Sequence, residues 1–226
     1  MKLIGKSKSK LVKWELWDRG GGVYVLRVED QYERGMLFLR YQEYFESPYR
    51  GYYRRDFKLL DFMDHYRRAL GEGVFSYPGD WGGYNIPGEM VERCMAGVVD
   101  WSSYDTEMEQ IVSLVEESRY YLIGVDSLDG SLMEHEMAHA FYYLDGSYRK
   151  EVNRLVGELD VSKVGRMMEL LLGWGYRGRV LRDEMQAYLS TGLVGEQGRI
   201  FGKRDCRDLV KNFRAYMGKF GKLGNK

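Results

Sequence analysis

Two of the chain's three histidines stand four residues apart, in His135-Glu136-Met137-Ala138-His139. On an α-helix, residues i and i+4 lie one above the other on the same face. A helix over this stretch therefore aims both imidazoles the same way, with Glu136 one residue round from them. Two imidazoles can share a cation, but a cation that is to do chemistry needs a third protein donor and one open position. The third donor must come from elsewhere in the chain. It must also sit on an element packed against the first helix, because a carboxylate ligand lies about 2 Å from zinc. A 226-residue chain is long enough to bury such a helix pair in one sizeable domain.

Local signals favour that helix. Ser131 with Glu134 three residues later reads as a capping box. Met133, Met137, Ala140 and Leu144 follow at i, i+4, i+7 and i+11 and form an apolar stripe beside the histidine face. Asp145-Gly146 ends the helix. Three places can supply the third donor. Asp145, six residues after His139, requires the chain to turn back at the position of Tyr142, where glycine would be the permissive residue. Glu158 and Asp160 lie about twenty residues further on and belong to no recognisable pattern. Glu184 lies within Asp183-Glu184-Met185-Gln186-Ala187-Tyr188, on a helix expected over Val180 to Ser190. Val180, Ala187 and Tyr188 share its face. The small Ala187 lets this helix approach the other closely, and Glu184 is the preferred donor.

On these residues the chain resembles the gluzincins, zinc metallopeptidases in which HExxH is joined by a glutamate from a later helix that carries small and aromatic residues. A wider set of motifs extends the likeness to a family of small HExxH proteins, over roughly residues 25–192. The set is Gln42-Glu43-x-x-Glu46-Ser47, Arg50-Gly51, Asp80-Trp81-x-Gly83, Asn85-Ile86-Pro87, His135-Glu136-x-Ala138-His139 and Asp183-Glu184-x-x-Ala187-Tyr188. The resemblance implies an α+β, zincin-like fold and one zinc ion held by His135, His139 and Glu184. It also implies hydrolysis of a peptide or protein substrate, with Glu136 as general base toward an activated water.

A second donor is needed where negative charge gathers on the carbonyl oxygen. Tyr188, Tyr142, Arg182 and His65 have the chemistry; the sequence does not choose among them, and Tyr188 is taken as the candidate. Asp183 is placed to accept an N–H from a histidine and hold its tautomer. By the same resemblance, the strand expected over Tyr120 to Val125 would form a cleft edge for an extended peptide. Trp81 and Tyr84 suit either a specificity pocket or the core, and Cys94 is the one thiol considered as a cap on the ion. A zincin-like protein-binding module with little hydrolysis is the competing expectation, and the intact Glu136 argues against it. A purely structural zinc site would want a fourth protein ligand, often cysteine, and neither Cys94 nor Cys206 is near in sequence.

The rest of the chain sets the frame. Lys plus Arg and Asp plus Glu both total 34, so no overall field favours nucleic acid. Residues 1–10 hold no apolar signal core, and no stretch approaches the ~20 apolar residues of a membrane span, which makes the cytoplasm the expected compartment. The basic tail from Lys203 to Lys226 reads as a solvated helix and its end.

Val12, Trp14 and Leu16 alternate as a strand, Gly20-Gly21-Gly22 turns the chain, and Val23 to Val28 pairs back. Helices are expected over Gln31–Phe45, ended by Ser47-Pro48 and Gly51, then over Leu59–Leu70, Met90–Ala96 and Thr106–Glu117. After the motif they are expected over Tyr148–Leu155, Val161–Leu172, Val180–Ser190 and Asp205–Met217, with a loop over Gly71–Gly88. The expected organisation is one domain, with an α+β part over 1–103 and the motif helix with a helical part over 104–226.

Overall fold

The structure is a computed structural model that describes residues 1–49, 57–69, 73–178, 180–192 and 195–223. Arg50, Gly51, Leu70, Gly71 and Lys226 of the sequence expectations lie outside these residues. The fold is α+β, with a small N-terminal sheet and a mostly helical remainder. It divides into two compact units, Met1–Leu128 and Asp129–Lys226. The division falls at 128/129 and not at 103/104, because the helix and strand that precede the motif pack with the N-terminal elements. No helix among the described residues is long and apolar enough to cross a membrane.

The first unit is built on a five-stranded sheet of β1 (Lys2–Lys6), β2 (Glu15–Gly20), β3 (Val23–Arg27), β4 (Tyr84–Pro87) and β5 (Tyr121–Val125), in the order β1-β2-β3-β5-β4. The β2–β3 hairpin turns on Gly20, Gly21 and Gly22, all at positive φ, where side-chain-bearing residues are strained. β3 pairs parallel with β5 from Val23↔Tyr121 to Arg27↔Val125, and β4 pairs antiparallel with β5. Every residue of β5 is buried, as an inner strand requires.

Between these strands run α1 (Gln31–Glu46), α2 (Leu59–Ala69), α3 (Tyr77–Asp80), α4 (Gly88–Gly97) and α5 (Ser103–Val112). α1 packs on the sheet through Phe38, whose ring lies where a side chain at Gly124 would be. Arg40 of α1 is buried among Asp105 Oδ1 at 2.9 Å, Asp100 Oδ1 at 2.9 Å and the Phe57 carbonyl at 2.9 Å. The Tyr41 hydroxyl donates to the same Asp105 at 2.9 Å, so one ion-pair network joins α1 to α5.

Three expectations are corrected by these elements. The strand expected from the alternation of Val12, Trp14 and Leu16 begins only at Glu15 and runs to Gly20, and an edge strand, β1, precedes it at Lys2–Lys6. The expected loop before Gly88 contains α3 and β4; its glycines and prolines bound a strand too short to show alternation. The expected helix over Thr106–Glu117 closes at Val112, where the Ser113 N–H bonds back to Glu109.

The second unit consists of α6 (Ser131–Leu144), α7 (Gly146–Gly157), α8 (Val161–Gly173), α9 (Val180–Thr191), α10 (Gln197–Ile200) and α11 (Arg207–Leu223). α9 packs against α6, α8 and α11. The capping box at Ser131 does not form. Gly130 is the N-cap, at φ 94° and ψ 178°, a conformation open essentially to glycine alone, and Ser131 is already the first helical residue. Glu134 turns instead to Arg214 of α11 and makes a two-point ion pair, with Nη2 to Oε2 at 2.8 Å. Met133, Met137 and Ala140 are buried as the stripe requires, while Leu144 at the helix end is only half-buried.

Candidate metal centre

α6 carries His135, Glu136 and His139, and α9 carries Asp183, Glu184 and Tyr188. The two helices pack against each other, and Ala138 and Ala140 on one and Ala187 on the other are fully buried. That contact brings a glutamate 45 positions beyond His139 to the two histidines. The Nε2 atoms of His135 and His139 face each other at 3.2 Å. Glu184 places Oε2 3.7 Å from His135 Nε2 and Oε1 3.6 Å from His139 Nε2. Among the described residues this is the group of three whose donor atoms could hold one ion.

The surroundings of two of the three donors, His139 and Glu184, bear on their charge. His139 is buried, and its Nδ1 lies 3.0 Å from Asp183 Oδ1. Nδ1 thus donates to Asp183, and Nε2 is the nitrogen turned toward His135 and Glu184. Burial opposes charge on this ring, but Asp183, Glu184 and Glu136 outweigh it and raise its pKa well above the usual histidine value. Burial likewise opposes charge on Glu184, yet His139, His135 and the Tyr176 hydroxyl hold its carboxyl below the usual range. Oε2 of Glu184 is buried and makes no hydrogen bond among the described residues, a costly state for a carboxylate oxygen. The spacings suit a shared ion. Ligands at about 2.0–2.1 Å in a tetrahedron stand about 3.3 Å apart, close to the separation of the two Nε2 atoms. Asp183, Glu184 and Glu136 also bring carboxylates to the cluster, which a cation would offset.

Two aromatic residues frame the cluster. The Tyr188 ring lies 4.6 Å from the His135 ring, centroid to centroid, and burial with the nearby Glu184 raises its pKa to about 12. It therefore remains a phenol, able to donate, across the ordinary pH range. Trp174, at the end of α8, stands edge-on to Tyr188 at 5.8 Å and is 41% exposed.

The other sequence candidates have different employment. Asp145 ends α6 and caps α7, accepting from the Ser147 and Tyr148 N–H groups at 2.7 and 2.9 Å. Asp160 caps α8 in the same way. Glu158 closes α7 and pairs with Arg154. None of the three is in the donor group. Arg182 is exposed, and the Tyr142 hydroxyl donates to Asn153 at 3.1 Å. His65, Trp81, Tyr84 and Cys94 belong to the first unit. There His65 stands edge-on to Tyr49, Trp81 lies beside Tyr77, Tyr84 stacks on Phe38, and Cys94 is buried in the core.

Three residues near the donors are not singled out by any sequence motif: Trp174, Tyr176 and Gln186. The first two follow from a helix end. Gly175 at φ 100° turns the chain after α8, and the Tyr176 N–H returns to the Leu171 carbonyl at 3.1 Å, which sends Tyr176 back toward Glu184. The run Gly173-Trp174-Gly175-Tyr176 carries a signal for this turn, since a glycine just past a helix is a reversing cap. Gln186 carries none.

No family model, curated protein or solved structure matches the chain.

Proposed function

We propose that this protein is a zinc-dependent peptidase of zincin-like fold, in which His135, His139 and Glu184 hold the metal and Glu136 is the general base. The observation that carries this reading is the convergence of two Nε2 atoms and a carboxylate, one of whose oxygens has no hydrogen bond among the described residues. Bound there, zinc supplies the Lewis acidity that makes water a nucleophile near neutral pH and polarises a carbonyl. Glu136, buried and one residue from His135, takes the proton from the attacking water and returns it to the departing amine. Tyr188, a phenol whose ring lies tilted against that of His135, donates to the carbonyl oxygen as charge develops. Asp183 keeps His139 in the tautomer that presents Nε2. The exposed Trp174 beside Tyr188 offers an apolar wall for a side chain of a peptide substrate.

The intact glutamate of the motif favours catalysis over binding alone, because holding an ion would not need it. The test joins metal analysis to hydrolysis of a mixed peptide library. The parent should carry about one zinc per chain, and chelation should abolish cleavage. Glu136→Gln should retain the metal and lower turnover by about 10²-fold or more. Cleavage that survives chelation, or full activity in Glu136→Gln, overturns the proposal.

A further inference from the structure

Gln186 is fully buried on α9, on the side of Asp183. Its Nε2 donates to Asp183 Oδ1 at 3.0 Å and to the Ala138 carbonyl of α6 at 3.2 Å. Its Oε1 accepts from the Tyr148 hydroxyl at 3.4 Å. This sets the sense of the amide. Turned over, its oxygen would face a carboxylate and a carbonyl, two acceptors, and its nitrogen would lose both partners. A buried amide that fills its donors and acceptor in one orientation is a rigid element, and one left half-satisfied would be costly.

The two acceptors of that nitrogen bracket His139. Ala138 is its chain neighbour, and Asp183 Oδ1 is the atom that lies 3.0 Å from its Nδ1. Asp183 is not locked by burial, since its side chain keeps 22% exposure. Without a second hydrogen bond this carboxylate is free to rotate toward water and leave the His139 Nδ1–H without its acceptor. The Gln186 amide ties it to the backbone that carries the ring.

We propose that Gln186 is a positioning residue that clamps Asp183 onto His139 Nδ1 and so keeps Nε2 as the nitrogen facing Glu184 and His135. The geometry stands by itself; its consequence for metal binding rests on the function proposed above.

The experiment uses the full chain, with Gln186→Met as the variant. Leu189→Ala, a buried residue of the same helix outside this network, serves as the control for general loosening. Three histidines make ¹⁵N-histidine labelling tractable. The first readout is the exchange with water of the His139 Nδ1–H proton in metal-free protein. The second is zinc affinity by chelator competition. Relative to Leu189→Ala, Gln186→Met should exchange this proton about 10-fold faster and bind zinc about 10–100-fold more weakly. Should Gln186→Met fail to fold, Gln186→Asn, one methylene too short to span both acceptors, takes its place with the same expectations.

Exchange and affinity equal to the control overturn the inference, even if the parent binds zinc tightly. Faster exchange in a parent background that takes up no zinc upholds the clamp and removes the metal centre.

Discussion

Glu184→Gln is the most direct probe of the donor set, because it keeps shape and packing and removes only the charge and one strong donor oxygen. The carboxylate lies 3.7 and 3.6 Å from the two Nε2 atoms. At an effective dielectric of about 20, a unit negative charge about 4 Å from a unit positive charge contributes about 4 kcal/mol, a lower bound for a carboxylate that would stand nearer to a doubly charged ion. The amide keeps a carbonyl oxygen that can still approach the ion, and it is cheaper to bury than a carboxylate. These offsets leave a net loss of about 3–4 kcal/mol, or roughly 10²–10³ in zinc affinity.

The assay is competition against a chromophoric chelator in metal-buffered solution, with zinc per chain measured after gel filtration. A second readout follows from linkage: zinc should raise the thermal midpoint of the parent and have much less effect on the variant at the same free concentration. Asp145→Asn, Glu158→Gln and Asp160→Asn serve as comparisons, since those carboxylates cap or close helix ends and should leave affinity unchanged. A Glu184→Gln affinity within about threefold of the parent, or a loss of affinity in one of the comparisons, would refute the assignment.

Two further expectations concern the first unit. Arg40→Met should destabilise the fold by about 3–5 kcal/mol in denaturant titration, because it leaves the buried Asp105 without its cation; a loss under about 1 kcal/mol would show that the network contributes little. Glu43 is buried with one carboxyl oxygen that has no hydrogen bond among the described residues, and burial lifts its pKa from 4.5 to about 7, against the pull of Ser47 and Tyr77. The folded state therefore binds the proton more tightly than the unfolded chain, so this group's contribution is full below pH 4.5 and is lost as pH rises through about 7. Relative to Glu43→Gln, the parent should lose about 3 kcal/mol between about pH 4.5 and 8. A stability difference that stays flat over that range would contradict the burial argument.

Strong local signals make some elements legible in the sequence alone. The turn at Gly20-Gly21-Gly22, α1 and the five helices α6 to α9 and α11 announce themselves through periodicity and turn chemistry, although the alternation of Val12, Trp14 and Leu16 falls mostly ahead of β2. The elements that escape such reading lack those signals. β1 is a polar edge strand and β4 is four residues long, and each exists because a neighbouring strand offers hydrogen bonds. Gly130 shows the reverse case. Ser131 and Glu134 have the spacing of a sound cap, but the chain enters α6 through a glycine conformation, and Glu134 is drawn away by Arg214 from the far end of the sequence.

The candidate site divides the same way. Helical spacing alone places His135, Glu136 and His139 on neighbouring positions of one turn, because the i, i+4 relation is set by backbone geometry. Which of the distant carboxylates joins them is not encoded locally. It depends on which helix packs against α6 and on the competing use of Asp145, Glu158 and Asp160 at helix ends. Tyr176 and Gln186 reach the centre only through the tertiary fold, one by a reversing glycine turn and the other across the contact between α6 and α9. Spacing along one helix is a property of the chain, whereas proximity between two helices is a property of everything packed around them.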